Sequence, residues 1–313
     1  MESLENRLLF SDGSMHIYAG ITKREFPELY KEILEISERE FNVEDASDRF
    51  DDTYKYLVCI VGYDPPQGEL PLEKEWEILS FYRYILCRDA RNGDSFDLST
   101  NKFYDYSERF KLILPATLEL GRSVVNHNSK MARKGLESIW KGLGTLIDYY
   151  KNYGIKFLFG EVSLQKADYD LGDIFQSDAL FSIVACYLKN FYRDDLIKPK
   201  ESIKDSKGNT IKGFEFEELM ETANRKGFTK ESNYQDDVKI LKSILRNYHA
   251  HKPQLFFHYG EIPKDGGLYM FPPVDNEEVL ECWEMGLLIK IDMIKSEWMD
   301  HCTLKGYRKE AFT

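Results

Sequence analysis

Hydrophobic residues along the chain follow two periods, one typical of strands and one typical of helices. Apolar and β-branched runs predict strands at Met15–Ile21, Tyr56–Tyr63, Glu77–Cys87, Leu118–Val125 and Ile155–Leu164. Apolar residues at helical spacing predict one helix over Phe26–Phe41 and another from Leu136 to a stop at Gly154. A third helix follows and ends near Phe191. This order predicts an α/β or α+β fold, with helices on both faces of a sheet.

The remainder of the chain is less regular. Residues 194–233 are charged and uneven, which predicts an insertion on the surface. A helix at Val238–Tyr248 and strands at Gln254–Tyr259, Leu268–Phe271 and Leu287–Ile291 follow, and we expect residues 234–313 to complete the sheet. No linker rich in Pro, Gly or Ser interrupts the 313 residues. Residues 1–313 are therefore predicted to form a single elaborated domain.

Composition and charge narrow the classes of function. A formal net charge of −12 argues against nucleic acid as a partner, because binding to phosphates needs a basic field. The five cysteines have no metal or redox spacing, which indicates reduced, buried thiols and a cytoplasmic protein. The first ten residues lack the features of a signal peptide. The apolar run at Ala179–Leu188 is about half of the roughly 20 residues that span a bilayer.

The strand at Leu118–Val125 carries two charges. In a regular strand, Glu119 and Arg122 would point to opposite faces of the sheet. A bulge at Gly121 would bring both side chains to the same face and leave backbone amides available to a ligand.

A basic loop follows this strand. Residues 126–135 have no apolar period and contain Lys130, Arg133 and Lys134 just before a helix begins. Free N–H groups at a helix N-terminus, together with these cations, would bind an anion such as a diphosphate or phosphopantetheine. A solvated basic loop that caps a core helix explains the same residues.

Arg83 is a charge inside an otherwise apolar strand, where it is costly unless it is paired or faces a wet cleft. Together with other landmarks it resembles the GNAT superfamily of acyltransferases, and within it the branch of acyl-homoserine-lactone (autoinducer) synthases and ornithine-type N-acyltransferases. The resemblance covers residues 26–191. Its landmarks are Asp48-x-Phe50-Asp51, Phe81-Tyr82-Arg83, Glu119-x-Gly121-Arg122-Ser123, Leu158-Phe159-Gly160 and Val162-Ser163.

The resemblance implies a mixed, mostly antiparallel central sheet whose fourth and fifth strands splay apart. It also implies transfer of a fatty acyl group from a thioester to the amine of a small amino acid or related acceptor. Glu119 would be the base, although pairing with Arg83 or Arg122 explains it equally well. Ser163 would donate to the thioester oxygen, or be an ordinary sheet hydroxyl. Asp48, Asp51, Arg83 and Arg122 would hold the acceptor's charged groups, or form a buried ion cluster.

The donor side follows from the same resemblance. The pantetheine arm would lie along Ser123, Val124 and Val125, and its phosphate against Lys130, Arg133, Lys134 and Gly135. No tightly bound cofactor is implied; the co-substrate would be an acyl carrier protein carrying phosphopantetheine, or a coenzyme A thioester. The usual phosphate loop has closely spaced glycines, of which only Gly135 is present, and this favours the carrier protein.

Several alternatives remain at this point. The chain could be a short-chain N-acetyltransferase that uses acetyl coenzyme A, a homologue that binds an acyl carrier or protein partner without catalysis, or an autoinducer synthase that needs S-adenosylmethionine. A lipid product could bring the protein to a membrane surface. No metal is expected, because His249, His251 and His258 lack a carboxylate or cysteine at ligand spacing.

Overall fold

The computed structural model describes residues 3–52, 55–64, 76–165, 195–200, 203–204, 210–211, 268–271, 274–276, 282–294 and 296–310. The helices are α1 Pro27–Phe41, α2 Glu108–Lys111, α3 Gly135–Lys151 and α4 Ser296–Cys302. The strands are β1 Leu8–Ser11, β2 Met15–Ile21, β3 Leu57–Tyr63, β4 Glu77–Leu86, β5 Arg91–Asn92, β6 Ser95–Phe96, β7 Tyr104–Tyr106, β8 Thr117–Val125, β9 Phe157–Gln165, β10 Ile197–Pro199, β11 Ile203–Lys204, β12 Thr210–Ile211, β13 Leu268–Met270, β14 Val274–Asn276 and β15 Cys282–Lys290.

The chain divides into two compact units. The first unit comprises Met1–Ala90, Leu118–Ile155 and Ser296–Thr313, and the second comprises Arg91–Thr117 and Lys156–Lys295. In the first unit β1, β2, β3, β4 and β8 pair in that order, and every pair is antiparallel. The predicted mostly antiparallel sheet is confirmed by these pairings.

Helices cover both faces of the sheet of the first unit, as predicted. The apolar side of α1, with Tyr30, Ile33 and Ile36, packs on one face against a cluster that includes Phe81 and Val124. On the other face Gly142 of α3 lies so close to β3 that a Cβ atom there would come within 2.7 Å of Val61 Cγ2. The end of α4 packs on α3 in the same way, because a Cβ atom on Gly144 would lie 2.6 Å from Cys302 Cβ.

The second unit is built around aromatic side chains. β15 pairs antiparallel with β9 on one side and with β13 and β14 on the other. Phe159 of β9 lies with its ring centroid 5.2 Å from that of Phe110 and 6.3 Å from that of Phe271. The hydroxyl of Tyr104 accepts a hydrogen bond of 2.8 Å from the backbone amide of Gly286. Phe159, which is 1% exposed, is thereby a core residue of this unit.

Most of the predicted elements in the first half of the chain are confirmed to within about two residues. β2 has the predicted bounds, and α1, β3, β4, β8, α3 and β9 follow the predicted order. The predicted helix that ends near Phe191, the helix at 238–248, the strand at 254–259 and the three histidines lie outside the described residues, as does most of the insertion. The single-domain organisation and the splay of the fourth and fifth strands stay predictions.

Three cysteines have the burial that the sequence predicted. Cys59, Cys87 and Cys302 are buried free thiols. Burial raises the pKa of the Cys59 and Cys302 thiols to about 12, so neither forms much thiolate near neutral pH. They are therefore poor nucleophiles. The side chains of Cys186 and Cys282 lie outside the described part of the chain.

Within the described ranges, no helix combines the length and the apolar character that crossing a membrane requires.

Candidate functional site

Two arginines and two aspartates from three segments of the first unit form one ion cluster. Arg83 Nη1 lies 2.9 and 2.8 Å from the two carboxylate oxygens of Asp48, and 3.1 Å from Asp51 Oδ1. Arg122 donates to the same two residues, with Nη2 at 2.9 Å from Asp48 Oδ2 and Nη1 at 3.1 Å from Asp51 Oδ2. The network that the sequence predicted is therefore assembled, and the charges of its four members balance.

The segment between α1 and β3 holds the two aspartates in place by local hydrogen bonds. Asp48 Oδ1 accepts from the backbone amide of Phe50 at 2.8 Å, and Asp51 Oδ2 accepts from the amide of Asp48 at 2.8 Å. Tyr30 of α1 adds a hydrogen bond of 2.6 Å from its hydroxyl to Asp51 Oδ1. These side-chain to backbone bonds form a tight turn and orient both carboxylates independently of the arginines.

A bulge in β8 brings Arg122 to the cluster. Arg83 is opposite Gly121 and Phe81 is opposite Val124, so that two residues of β8, Arg122 and Ser123, face only Tyr82 of β4. Arg122 takes a left-handed backbone conformation with φ of 49°. For a residue other than glycine this conformation costs on the order of 1 kcal/mol, which its two ion pairs offset. The predicted bulge is confirmed, one residue beyond Gly121.

The cluster has a buried half and an exposed half. The side chains of Asp51 and Arg83 are 0% and 7% exposed, whereas those of Arg122 and Asp48 are 18% and 32% exposed. Burial raises the pKa of Asp51, but the charge of Arg122, the Tyr30 hydrogen bond and the charge of Arg83 outweigh burial and hold this pKa below its usual range. Burial and the neighbouring Asp51 charge raise the pKa of Tyr30. Asp51 is thus ionised and Tyr30 neutral around pH 7.

The lowered pKa of Asp51 predicts an acid-sensitive contribution to stability. A carboxyl whose pKa is lower in the folded state stabilises the protein fully above its unfolded pKa of about 3.9, and this contribution is lost as the pH falls through the folded pKa. We expect the difference in free energy of unfolding between wild type and Asp51→Asn to be largest above pH ~4 and to shrink below it. Urea unfolding of both proteins from pH 3 to 7 measures this; a constant difference would contradict it.

Glu119 lies on the same face of the sheet as Arg83, because it is opposite Ile85 of β4. Its side chain is 1% exposed and accepts a hydrogen bond from the hydroxyl of Tyr56. The carboxylate is therefore almost completely buried, and the role of Glu119 as the base stays a prediction. Its carboxylate oxygen Oε2 is held by Tyr56 rather than by either arginine.

Tyr56 is the residue that sequence reasoning missed. Its ring centroid lies 4.9 Å from Arg83 Cζ and 5.0 Å from the ring of Phe50. In the sequence Tyr56 only opens an apolar, β-rich run, so nothing in the pattern separated it from the core residues that follow. The one available signal was its place five residues after Asp51, on the segment that carries the predicted network.

The residues predicted to hold the acyl donor differ in their exposure to solvent. Ser123 is exposed and Val124 is buried against α1, whereas Lys130, Arg133 and Lys134 are exposed on the loop before α3. The amides of Lys134 and Gly135 already donate to the carbonyls of Met131 and Ala132, because a 3-10 turn precedes the helix. These two amides are therefore already used within the protein, and the anion site at the start of the helix stays a prediction.

The loop is tied down on the side that faces α1. Asn126 Nδ2 donates to the carbonyl of Ile78 at 2.8 Å, and its side-chain oxygen accepts from Arg39 at 2.7 Å. His127 binds Glu40 through both its amide and its ring, at 3.0 and 2.7 Å. At the other end Gly135 is required for close packing, because a Cβ atom there would lie 2.1 Å from Val125 Cγ1. The exposed cations thus sit on a fixed backbone.

Ser163 lies in β9 of the second unit and pairs with Glu284 of β15. Its side chain is outside what the structure describes, so its predicted role as a donor to the thioester oxygen stays a prediction.

The chain is similar along almost its whole length to two bacterial proteins, both named glycine N(alpha)-acyltransferase. The protein from Bacteroides thetaiotaomicron is 26% identical, over 93% of this chain and 82% of its own length. The protein from Phocaeicola vulgatus is 27% identical, over 93% of this chain and 85% of its own length. These similarities support an N-acyltransferase assignment. A scan against models of protein families finds none that matches the chain.

Acyl transfer to an amine is what the sequence analysis expected, and the two similarities bear out that expectation. The assignment also requires an acyl donor as co-substrate.

Proposed function

We propose that the protein transfers a fatty acyl group from a thioester to the α-amine of a small amino acid, with glycine as the first acceptor to test. The observation that carries this proposal is the similarity, over 93% of the chain, to two proteins named for acyl transfer to glycine. The ion cluster of Asp48, Asp51, Arg83 and Arg122 supports it, because such a cluster offers both charges of a zwitterion a partner.

The exposed half of the cluster receives the acceptor in this proposal. Arg122 uses two N–H groups on Asp48 and Asp51, and its other N–H groups have no acceptor among the residues described. A guanidinium with spare donors binds a carboxylate in a fork geometry, so Arg122 holds the acceptor's carboxylate. Asp48, 32% exposed, attracts the ammonium group. The buried Arg83 and Asp51 keep these two side chains in place.

The chemistry needs a neutral amine close to the thioester carbonyl. Glu119 takes a proton from the ammonium group, directly or through a water molecule, and the amine nitrogen then attacks the carbonyl carbon. A C–N bond forms and the C–S bond breaks. The second amine proton leaves as the amide forms, and the departing sulfur takes up a proton and leaves as a thiol. Donation by Ser163 to the oxyanion stays a prediction.

The basic loop is the proposed site for the phosphate of the donor, with Ser123, Val124 and Val125 along its pantetheine arm. Lys130, Arg133 and Lys134 supply positive charge on a protein of net charge −12. The phosphate of phosphopantetheine on an acyl carrier protein, or the phosphates of coenzyme A, would pair with these cations. The donor is one of these two thioesters.

The function is tested by mixing the purified protein with acyl carrier protein thioesters or acyl coenzyme A and a panel of amino acids. We expect free thiol to appear together with an N-acyl amino acid detected by mass spectrometry, and glycine to be among the acceptors. Acetyl coenzyme A is included in the same panel. Thiol release with this donor and not with the long-chain donors would identify a short-chain acetyltransferase. Absence of thiol release with every donor and acceptor would overturn the proposal.

Removing charge from the basic loop tests the donor site. We expect the double variant Arg133→Gln, Lys134→Gln to raise the KM for the donor on the order of ten-fold and to change kcat little, because the lost attraction acts before chemistry. The matched control Lys31→Gln, Lys151→Gln removes the same charge from α1 and the end of α3. An equal rise in KM in both double variants would show that net charge, and not this loop, matters.

A further inference from the structure

Tyr56 contacts two charged residues of the proposed site, Glu119 and Arg83. Its hydroxyl donates to Oε2 of Glu119, the proposed base. The face of its ring lies 4.9 Å from Cζ of Arg83, which in turn binds both aspartates. One side chain of 4% exposure therefore joins an anion on β8 to a cation on β4.

The surroundings of Tyr56 restrict how it can move. Phe50 lies edge-on to the ring, at a centroid distance of 5.0 Å, and Phe50 is itself 5.9 Å from Arg83 Cζ. Phe50 sits between Asp48 and Asp51, whose hydrogen bonds fix its backbone. An aromatic ring packed in this way keeps its hydroxyl in one place and interacts favourably with the cation above it.

We propose that Tyr56 is a positioning residue of the acyl-transfer site, whose hydroxyl orients Glu119 and whose ring orients Arg83. The inference rests on the proposed function, since it assigns Tyr56 to the same site. Tyr56 acts through these two residues and has no contact with the reacting atoms in this scheme. A core tyrosine that only fills space would contact neither Glu119 nor Arg83.

The two contacts have separable consequences. The hydroxyl that donates to Oε2 holds the Glu119 carboxylate in one orientation, so its loss leaves the proposed base less well aligned with the amine of the acceptor. The thiol of Cys87, which contacts the backbone of Glu119, and the side chain of Arg83, which lies on the same face of the sheet, are both retained when only the hydroxyl is removed. Loss of the ring, in contrast, removes its contact with the Arg83 guanidinium. Arg83 can then shift, and the acceptor site that it supports shifts with it.

Two variants separate the hydroxyl from the ring. Tyr56→Phe keeps the ring, and we expect kcat to fall on the order of ten-fold while the KM for the amino acid changes little. Tyr56→Leu removes both, and we expect the same fall in kcat together with a KM for the amino acid that is raised roughly ten-fold. The matched control is Tyr84→Phe, which removes a buried hydroxyl that bonds Tyr150 at 3.1 Å on the α3 face of the same sheet.

A measurement that does not depend on activity completes the test. Carbon-13 NMR of protein labelled at the glutamate side-chain carboxyl reports on the surroundings of the Glu119 carboxylate, with Glu119→Gln identifying its resonance. We expect this resonance to move in Tyr56→Phe, which removes the hydrogen bond to Oε2, and to keep its wild-type position in Tyr84→Phe. An unmoved resonance in Tyr56→Phe, or an equal movement in both variants, would overturn the inference. A resonance that moves as expected in a protein that transfers no acyl group would overturn the proposed function alone.

Discussion

Glu119→Gln is expected to lower kcat/KM for acyl transfer by about 10²- to 10⁴-fold, the usual contribution of a general base. Glutamine has the same shape and still accepts a hydrogen bond from Tyr56, so the packing around this 1% exposed side chain should survive. It cannot take a proton from the ammonium group of the acceptor. The measurement is the rate of thiol release at saturating donor over a range of glycine concentrations.

The control for this change is Glu137→Gln on the exposed side of α3, where the carboxylate pairs with Lys141 at 2.8 Å. We expect the control to keep wild-type kcat/KM. A Glu119→Gln protein that is folded, as judged by circular dichroism, and retains more than about one tenth of wild-type activity would contradict the role of Glu119 as base. Its hydrogen bond with Tyr56 would then be purely structural.

Asp51→Ala is expected to have the largest effect on stability of the changes considered, lowering the free energy of unfolding by about 3 kcal/mol or more. The wild-type carboxylate is 0% exposed and binds Arg83, Arg122 and the hydroxyl of Tyr30. Its loss leaves the almost fully buried Arg83 with Asp48 as its single acidic partner among the residues that the structure describes. Chemical denaturation monitored by tryptophan fluorescence measures the change.

Asp52→Ala is the matched control, since it removes the neighbouring carboxylate. Asp52 is 66% exposed and pairs at 2.7 Å with Lys23, itself partly exposed, and surface pairs of this kind contribute little to stability. We expect the control to unfold at nearly the wild-type denaturant concentration. If Asp51→Ala were no less stable than Asp52→Ala, the cluster would not be a stabilising part of this unit.

The ion cluster was predictable because burial of a charge needs compensation. Arg83 stands in a strand that is otherwise apolar, and the segment 48–51 supplies two carboxylates nearby in sequence. The bulge was predictable too, because Glu119 and Arg122 cannot share a face in a regular strand and a glycine lies between them. Helix α1 and strands β2, β3, β4 and β8 follow from periodicity alone.

Other features depended on contacts that no local pattern encodes. Tyr56 reaches Glu119 across 63 positions of sequence, and its run of residues reads as an ordinary strand opening. The burial of Glu119 is a result of packing around it. The amides before α3 are used by a 3-10 turn, which needs no special residue. Strand β1 has only four residues and helix α4 only seven. Both were missed because they are too short for a hydrophobic period to be visible.

Isotope-labelled glycine shows whether the acyl group of a thioester is joined to the nitrogen of the amino acid. The purified wild-type protein is incubated with nitrogen-15 glycine and a fatty acyl thioester of acyl carrier protein or coenzyme A, with Glu119→Gln in parallel. We expect an acyl glycine that carries nitrogen-15 in its amide, formed in step with free thiol and nearly absent in the variant. Free thiol without labelled amide would indicate a thioesterase, and labelled amide formed equally by both proteins would contradict the site described above.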